Sequence, residues 1–351
     1  MSVDRSTYFS KKIVLLNVIA TVMIVLHHAE TPVRWGQPLD WQHYPFIWAV
    51  YALAQVAVPL FFFISAILFY RNCEWKDIPQ KLYRRIFSLL IPFLIWNVFF
   101  VAVYWALQKI PFTAERMAIA TPLDTLTQWL KAIWHTQFTP LWFIKDLMFF
   151  CLLSPIILLI IKNKWVGIVA TIGVFISSVL LHWDGISKLF YWFPVYLSGA
   201  LVGRYLYGTT RDENTRLFDD WPSGSRVASA IVLGLILVAL YVWGVADEGS
   251  WVYGRFIGPI AIWFFVDLLL PAGFKDSFTV KDWMGFTFFI YATHHFLLNV
   301  EQTLVRAYFP GTSLVLNLTF IVTPIVTLLI IIWTARFLSR FKFYKYLTGG
   351  R

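Results

Sequence analysis

The sequence predicts an all-α fold, a polytopic bundle of about ten transmembrane helices with both termini in the cytoplasm. Three observations predict it. Of 351 residues, 59% are hydrophobic and only 14% are charged, against ~45–50% and ~25% in soluble domains. The apolar residues gather into runs long enough to cross a bilayer. Lys and Arg concentrate in alternate loops between those runs. A soluble fold of this length could neither bury so much apolar side chain nor cover its surface with so little charge. An ordinary soluble enzyme, a disordered chain and a nucleic-acid-binding module are excluded. The net charge of +10 then reports topology rather than nucleic acid.

The runs are 13–29, 46–70, 86–107, 140–161, 165–181, 189–207, 227–246, 252–270, 284–305 and 314–338. Each approaches the ~20 mostly apolar residues that a crossing needs. Lys11 and Lys12 precede the first run and no small-residue cleavage site follows it, so it reads as a retained signal anchor. Only His182 to Lys188 divides the fifth run from the sixth. With the N-terminus inside, the inner segments carry 21 Lys and Arg and the outer loops carry 6. Lys145 and Arg255 fall within runs. An even number of crossings returns the C-terminus to the cytoplasm. The longest outer loop, Gln108 to Thr139, holds Pro111 and Pro122 and suits a short interfacial or re-entrant element. The longest inner loop runs from Tyr207 to Arg226. No repeat or linker divides the chain, so one membrane domain over 1–351 is expected. Cys73 and Cys151 match no disulfide or metal spacing.

Ionisable groups at membrane depth carry the functional information, because each needs a partner, a cavity or water. His27, His28 and Glu30 end the first run. Asn17 lies eleven residues before His28, about three turns at ~3.6 residues per turn, and so on the same face. That stripe could line a channel with an imidazole suited to proton abstraction. An interfacial His pair that only caps the helix fits the same spacing. His27 lies ~100° round the helix and is expected to pack against a neighbour. Arg84 and Arg85 open the third run, either as topology markers or as an anchor for an anionic ligand. Trp142 suits an aromatic belt. Lys145 and Asp146, adjacent in an apolar run, point apart and call for partners on other helices. Tyr291, His294 and Glu301 share one face of the ninth run, lining a cavity or forming a buried polar network, beside His295. Arg255 and Asp267 on the eighth run read as paired or interfacial. There is no GxSxG, HExxH or phosphate-cradling glycine loop. No His, Cys and carboxylate set has metal-ligand spacing.

Together these segments resemble the acyltransferase 3 family, the integral-membrane O-acyltransferases that modify bacterial surface glycans. LLNVIATVMIVLHHA resembles the family's first helix, which ends in a functional His, here His28. VPLFFFISAILFY, KLYRRIFSLLIPFLIWN and PLWFIKDLMFFCLLSPII resemble its second, third and fourth helices, with Lys145 where Arg is common. GFTFFIYATHH resembles its late Tyr-x-x-His phrase, at Tyr291 and His294. The order of the segments is kept over nearly the whole chain. One position departs: the family motif is Arg, ten residues, then His, and Asn17 stands where that Arg would be. The family's Arg is thought to help hold the acyl-CoA, so Asn17 implies a divergent donor contact or a weakened enzyme.

The resemblance implies transfer of an acyl group, most often acetyl, from cytoplasmic acyl-CoA to a sugar hydroxyl, in the bacterial cytoplasmic membrane. It makes His28 the catalytic base. Asn17, Arg84 and Arg85 fall to the acyl-CoA, and Trp142, Lys145, Asp146, Tyr291, His294 and Glu301 to the acceptor cavity. Acetyl-CoA is a co-substrate and no permanently bound cofactor or metal is expected. The partners are acyl-CoA, a glycan or lipid-linked sugar, and membrane lipid, with no nucleic acid. The rival reading is a transporter or flippase of a glycan precursor, which would share the buried charge and aromatic lining without consuming CoA.

Overall fold

The computed structural model describes residues 7–116, 123–137, 139–180, 188–208, 214, 217–218, 220–246, 251–271 and 273–350. The divider 182–187, the basic residues Arg5, Arg211, Arg216 and Arg351, and parts of the two long loops lie outside the described residues. Among the described residues the fold is helical with no strand.

The apolar first run forms α1 (Tyr8–His27), and Pro32 sits within the first two positions of the short α2 (Thr31–Arg34), where its missing N–H costs nothing. The second run divides at Gln55 into α3 (Pro45–Ala54) and α4 (Ala57–Tyr70). The third begins with α5 (Ile78–Arg85), widens into one π-helical turn over Ile86–Leu90, and continues as α6 (Ile91–Gln108). Pro92 explains the widening, because its ring crowds the carbonyl four residues back, that of Ser88. After α7 (Pro111–Arg116), a reciprocal Thr125–Gln128 capping box starts α8 (Leu126–Trp134). The fourth run is α9 (Trp142–Leu152) and α10 (Ser154–Ile160), bent by 62° ahead of Pro155.

Asn163 accepts from the N–H groups of Trp165 and Val166 and so caps α11 (Lys164–Leu180). Then come α12 (Lys188–Leu206), α13 (Ser223–Ala246), α14 (Trp251–Leu269) and α15 (Phe274–Ser277). A 3₁₀ turn at Asp282–Phe286 leads into α16 (Thr287–Tyr308). Thr312 caps α17 (Ser313–Leu338), and α18 (Tyr344–Thr348) ends at Gly349 in the left-handed region (φ 70°).

Helices thus occupy all ten expected positions. Among the described residues, six continuous stretches are long and apolar enough to cross a membrane: Tyr8–Arg34, Pro45–Tyr70, Trp75–Gln108, Ser223–Gly244, Trp251–Leu269 and Ser313–Leu338. The α9–α10 pair makes a seventh if it is one bent span. The 17-residue α11 is short. Polar groups dilute α12 and α16, which are long enough but fall outside that set.

The described chain forms two compact units. The first comprises residues 1–23, 52–81 and 150–284. Its densest packing is α4 against α12, where Gly199 and Gly203 replace side chain with backbone. A Cβ on Gly199 would meet the Phe63 carbonyl oxygen at 2.4 Å, and one on Gly203 the Ile67 oxygen at 2.7 Å. Small residues four apart allow this approach, as in membrane helix pairs generally. The α13–α14 pair closes around Tyr241, whose hydroxyl donates to the Gly254 carbonyl at 3.1 Å.

Lys12, read from the sequence as a loop charge, is completely buried in this unit. Its Nζ lies 2.6 Å from Asp267 Oδ2, donates to the Trp263 carbonyl at 2.9 Å, and sits 3.6 Å over the Trp263 ring. Tyr8 donates to the other Asp267 oxygen at 2.7 Å. Asp267 therefore pairs with Lys12 and not with Arg255. Arg255 instead donates to Tyr191 Oη (2.9 Å) and Gln55 Oε1 (3.0 Å). Cys73 and Cys151 are both buried and neither is in a disulfide. Burial pushes the Cys73 thiol up, which keeps it protonated and unreactive.

The second unit comprises residues 24–51, 82–149 and 285–351. Here α16 packs on α17, and α6 on α8 and α18. Trp96 Nε1 donates to the Leu347 carbonyl (2.9 Å) and ties α18 to α6. This unit contains every imidazole discussed below.

Candidate active site

The site starts where α1 stops. His28 N–H still reaches back to the Ile24 carbonyl (3.2 Å), and the Ala29 N–H tightens to that of Leu26 (3.1 Å). The chain then turns into α2. Thr31 Oγ1 donates to the Leu316 carbonyl (2.9 Å) and Arg306 to that of Arg34 (2.9 Å), so both other helices of the site region hold the corner. His28 is thereby fixed just beyond the last full turn of α1.

Its ring faces other imidazoles. The centroid lies 5.1 Å from His27, 5.3 Å from His294 and 5.1 Å from His295. His27 turns away and stacks on Tyr51 (4.7 Å, 21° between planes). This is the neighbour packing expected of it, and it leaves His28 as the ring facing α16. His28 and His295 are largely enclosed by protein and keep only part of their surface accessible. Arg34 stands within electrostatic reach of His28 and His295, and Glu30 and Tyr104 within reach of Arg34.

On α16, His294 is fully buried. Its Nδ1 contacts the carbonyls of Ile290 (3.0 Å) and Tyr291 (2.8 Å). Carbonyls only accept, so Nδ1 carries the proton and Nε2 the lone pair. That Nε2 is buried with no protein partner. His295 Nδ1 lies 3.4 Å from the amide nitrogen of Asn299, which also bonds Tyr104. Tyr291 is buried too. Its hydroxyl donates to the Pro140 carbonyl and its ring stands edge-on to Phe143 (5.9 Å), which clamps the start of α9. Asn97 reinforces that clamp by accepting from Thr139 Oγ1 (2.9 Å).

The structure therefore brings His28, His294 and Tyr291 into one neighbourhood. Glu301 lies about two turns further along α16, where its Oε2 accepts from Thr327 Oγ1 of α17 (2.9 Å). Lys145 Nζ reaches the Trp134 carbonyl on α8 (3.3 Å) and does not ion-pair with Asp146. Asp146 is half-buried, within electrostatic reach of Tyr291, and Trp142 is half-buried beside it. Arg84 is exposed and Arg85 half-buried at the end of α5. Asn17 is half-buried on α1, its carbonyl accepting from Thr21 (2.7 Å).

Sequence reasoning gave no role to His295, Arg34, Asn299 or Tyr104. The one available signal was the His-His dipeptide ending near the same depth as the first. Among the described residues no three His, Cys, Asp or Glu side chains gather as metal ligands do.

The acyltransferase 3 family, described as an acyltransferase domain, matches residues 12–336. The chain belongs to that family. It is an acyltransferase and a multi-pass membrane protein. Succinoglycan biosynthesis protein ExoH of Rhizobium meliloti (strain 1021) is 24% identical to it over 313 residues, 82% of this chain and 78% of that protein. No solved structure matches the chain. Membership in an acyltransferase family argues for group transfer over the transporter reading.

Proposed function

We propose that this acyltransferase moves an acyl group, most often acetyl, from cytoplasmic acyl-CoA to a hydroxyl of a cell-surface or lipid-linked glycan, with His28 as general base. The observation that carries the reading is the enclosure of the His28 ring by imidazoles at the end of α1. The glycan acceptor draws support from the relative's name, which places that protein in succinoglycan biosynthesis. The chain crosses the bacterial inner membrane ten times with both termini cytoplasmic, in keeping with 21 basic residues on one side and 6 on the other.

In the reaction, a neutral His28 takes the proton of the acceptor hydroxyl as its oxygen attacks the thioester carbonyl. The tetrahedral adduct then collapses, the carbon–sulfur bond breaks, and the CoA thiolate takes the proton back from His28. A positioned base contributes ~10²–10⁴-fold in rate. Arg84, Arg85 and the Asn17 position serve the donor, Arg84 and Arg85 as a guanidinium pair suited to its phosphates. Tyr291, His294, Trp142, Lys145, Asp146 and Glu301 shape the acceptor side.

The test is incubation of membranes with radiolabelled acetyl-CoA, following label into the glycan fraction. Wild-type chain is expected to label glycan and His28→Ala to lose at least ~10²-fold of that rate. Near wild-type labelling by a folded His28→Ala protein removes His28 from the mechanism. Glycan movement without CoA release restores the transporter reading.

A further inference from the structure

His294 and His295 are consecutive, so their side chains leave α16 ~100° apart. Both nevertheless touch the same ring. His28 sits in the notch between them, 5.3 Å from one centroid and 5.1 Å from the other. The two rings are also held in opposite senses. His294 spends its Nδ1–H on the carbonyls of Ile290 and Tyr291, which leaves a bare, buried, unpartnered Nε2. His295 meets an amide nitrogen of Asn299 at Nδ1. An amide nitrogen only donates, so Nδ1 accepts and the proton of the neutral ring resides on Nε2. The Nε2 of one neighbouring ring is thus a lone pair and that of the other an N–H.

We propose that these two imidazoles serve His28 with opposite polarity. His294 is a positioning residue: its Nε2, without a protein partner in this structure, accepts the N–H of His28 as the acceptor hydroxyl engages that ring, and so selects the tautomer whose other nitrogen is free to take a proton. His295 is a catalytic residue: its Nε2–H stabilises the thioester oxygen as that oxygen becomes an oxyanion. The inference rests on His28 being the base. The steps balance as before, since the acceptor proton passes through His28 to the departing thiolate while His295 keeps its own. An acceptor behind the base and a donor at the carbonyl are the two supports that acyl transfer needs. Asn299 and the Ile290 and Tyr291 carbonyls fix the two polarities from the same helix.

The experiment reads CoA release from acetyl-CoA by the purified full chain, with the glycan fraction of the host cells as acceptor. His295→Leu is expected to lower kcat by ~10²–10³-fold, the usual loss of one oxyanion donor, with KM for acetyl-CoA little changed. His295→Gln, which restores an N–H near the same place, recovers part of that loss. Asn299→Asp is the decisive variant. A carboxylate at that position accepts from Nδ1–H and moves the lone pair to Nε2, so a nearly isosteric change should cost as much as His295→Leu. For His294, the ¹⁵N shifts of the His28 ring, read with CoA and the glycan acceptor present, are expected to report a single tautomer in wild type and a mixture in His294→Phe.

Wild-type turnover in Asn299→Asp overturns the assigned polarity, and wild-type turnover in His295→Leu overturns the role. An unchanged His28 tautomer in His294→Phe overturns the positioning claim. His28→Ala is run alongside. If it stays active, the base reading falls and this one with it. If it is inactive while His295→Leu and Asn299→Asp remain active, only the present inference falls.

Discussion

Replacing Asp267 with Asn breaks, from one side, a fully buried ion pair. Lys12 and Asp267 are both wholly inaccessible and lie 2.6 Å apart. The substituted amide would keep an oxygen for Tyr8 but remove the negative charge, leaving the ammonium in a low-dielectric site without the carboxylate that now neutralises it. The Trp263 carbonyl and ring still face it, but neither carries a full charge. Breaking a buried pair from one side costs ~3–5 kcal/mol. At about 2 °C per kcal/mol for a long chain, detergent-solubilised Asp267→Asn should unfold about 6–10 °C lower. The double variant Lys12→Met with Asp267→Leu removes both charges at similar volume and should recover most of that fall, because such replacements are often neutral. Thermal unfolding followed by intrinsic tryptophan fluorescence measures both. An Asp267→Asn protein that unfolds with the wild type, or a double variant worse than the single one, would refute the claim that pairing compensates burial here.

Gly203→Ala should destabilise by ~1–3 kcal/mol, since its new Cβ would meet the Ile67 carbonyl oxygen at 2.7 Å and backbone cannot swing aside. A Tm in the same detergent decides this. Thr327→Val removes the donor to Glu301 Oε2, while the other carboxylate oxygen already lacks a protein partner. The expected cost is ~1–3 kcal/mol, and Thr327→Ser should restore stability in the same unfolding assay.

The ten helical stretches were legible because a bilayer demands long apolar runs and punctuates them with charge. Pro92 and Pro155 also announced, in principle, the widened turn and the bend. That His28, His294 and Tyr291 would lie among protein partners was legible for a related reason: an ionisable or phenolic group in such a run is expensive to leave unaccompanied. Lys12 shows where that logic stops. A lysine at the edge of an apolar run looks the same whether it faces water or a carboxylate 255 positions along the chain, and only the folded path of α1 and α14 tells the cases apart. Arg34 was counted as a loop charge for the same reason. His295 escaped a role because adjacent helical residues diverge. That both could meet one ring depends on where the end of α1 docks. Glu301 shared the predicted face but stands apart from the imidazoles, since seven residues of rise carry it along α16 to Thr327.

The π-helical turn at Ile86–Leu90 has a consequence for the arginines before it. A turn closed by i→i+5 bonding holds one more residue than an α-turn, and each residue of an α-helix advances the azimuth by ~100°. Arg84 and Arg85 are therefore dialled about a quarter-turn round the axis from where an uninterrupted helix ending in α6 would aim them. Excising a single residue from that stretch should rewind the guanidinium pair to another bearing while α6 keeps its grip on α8 and α18.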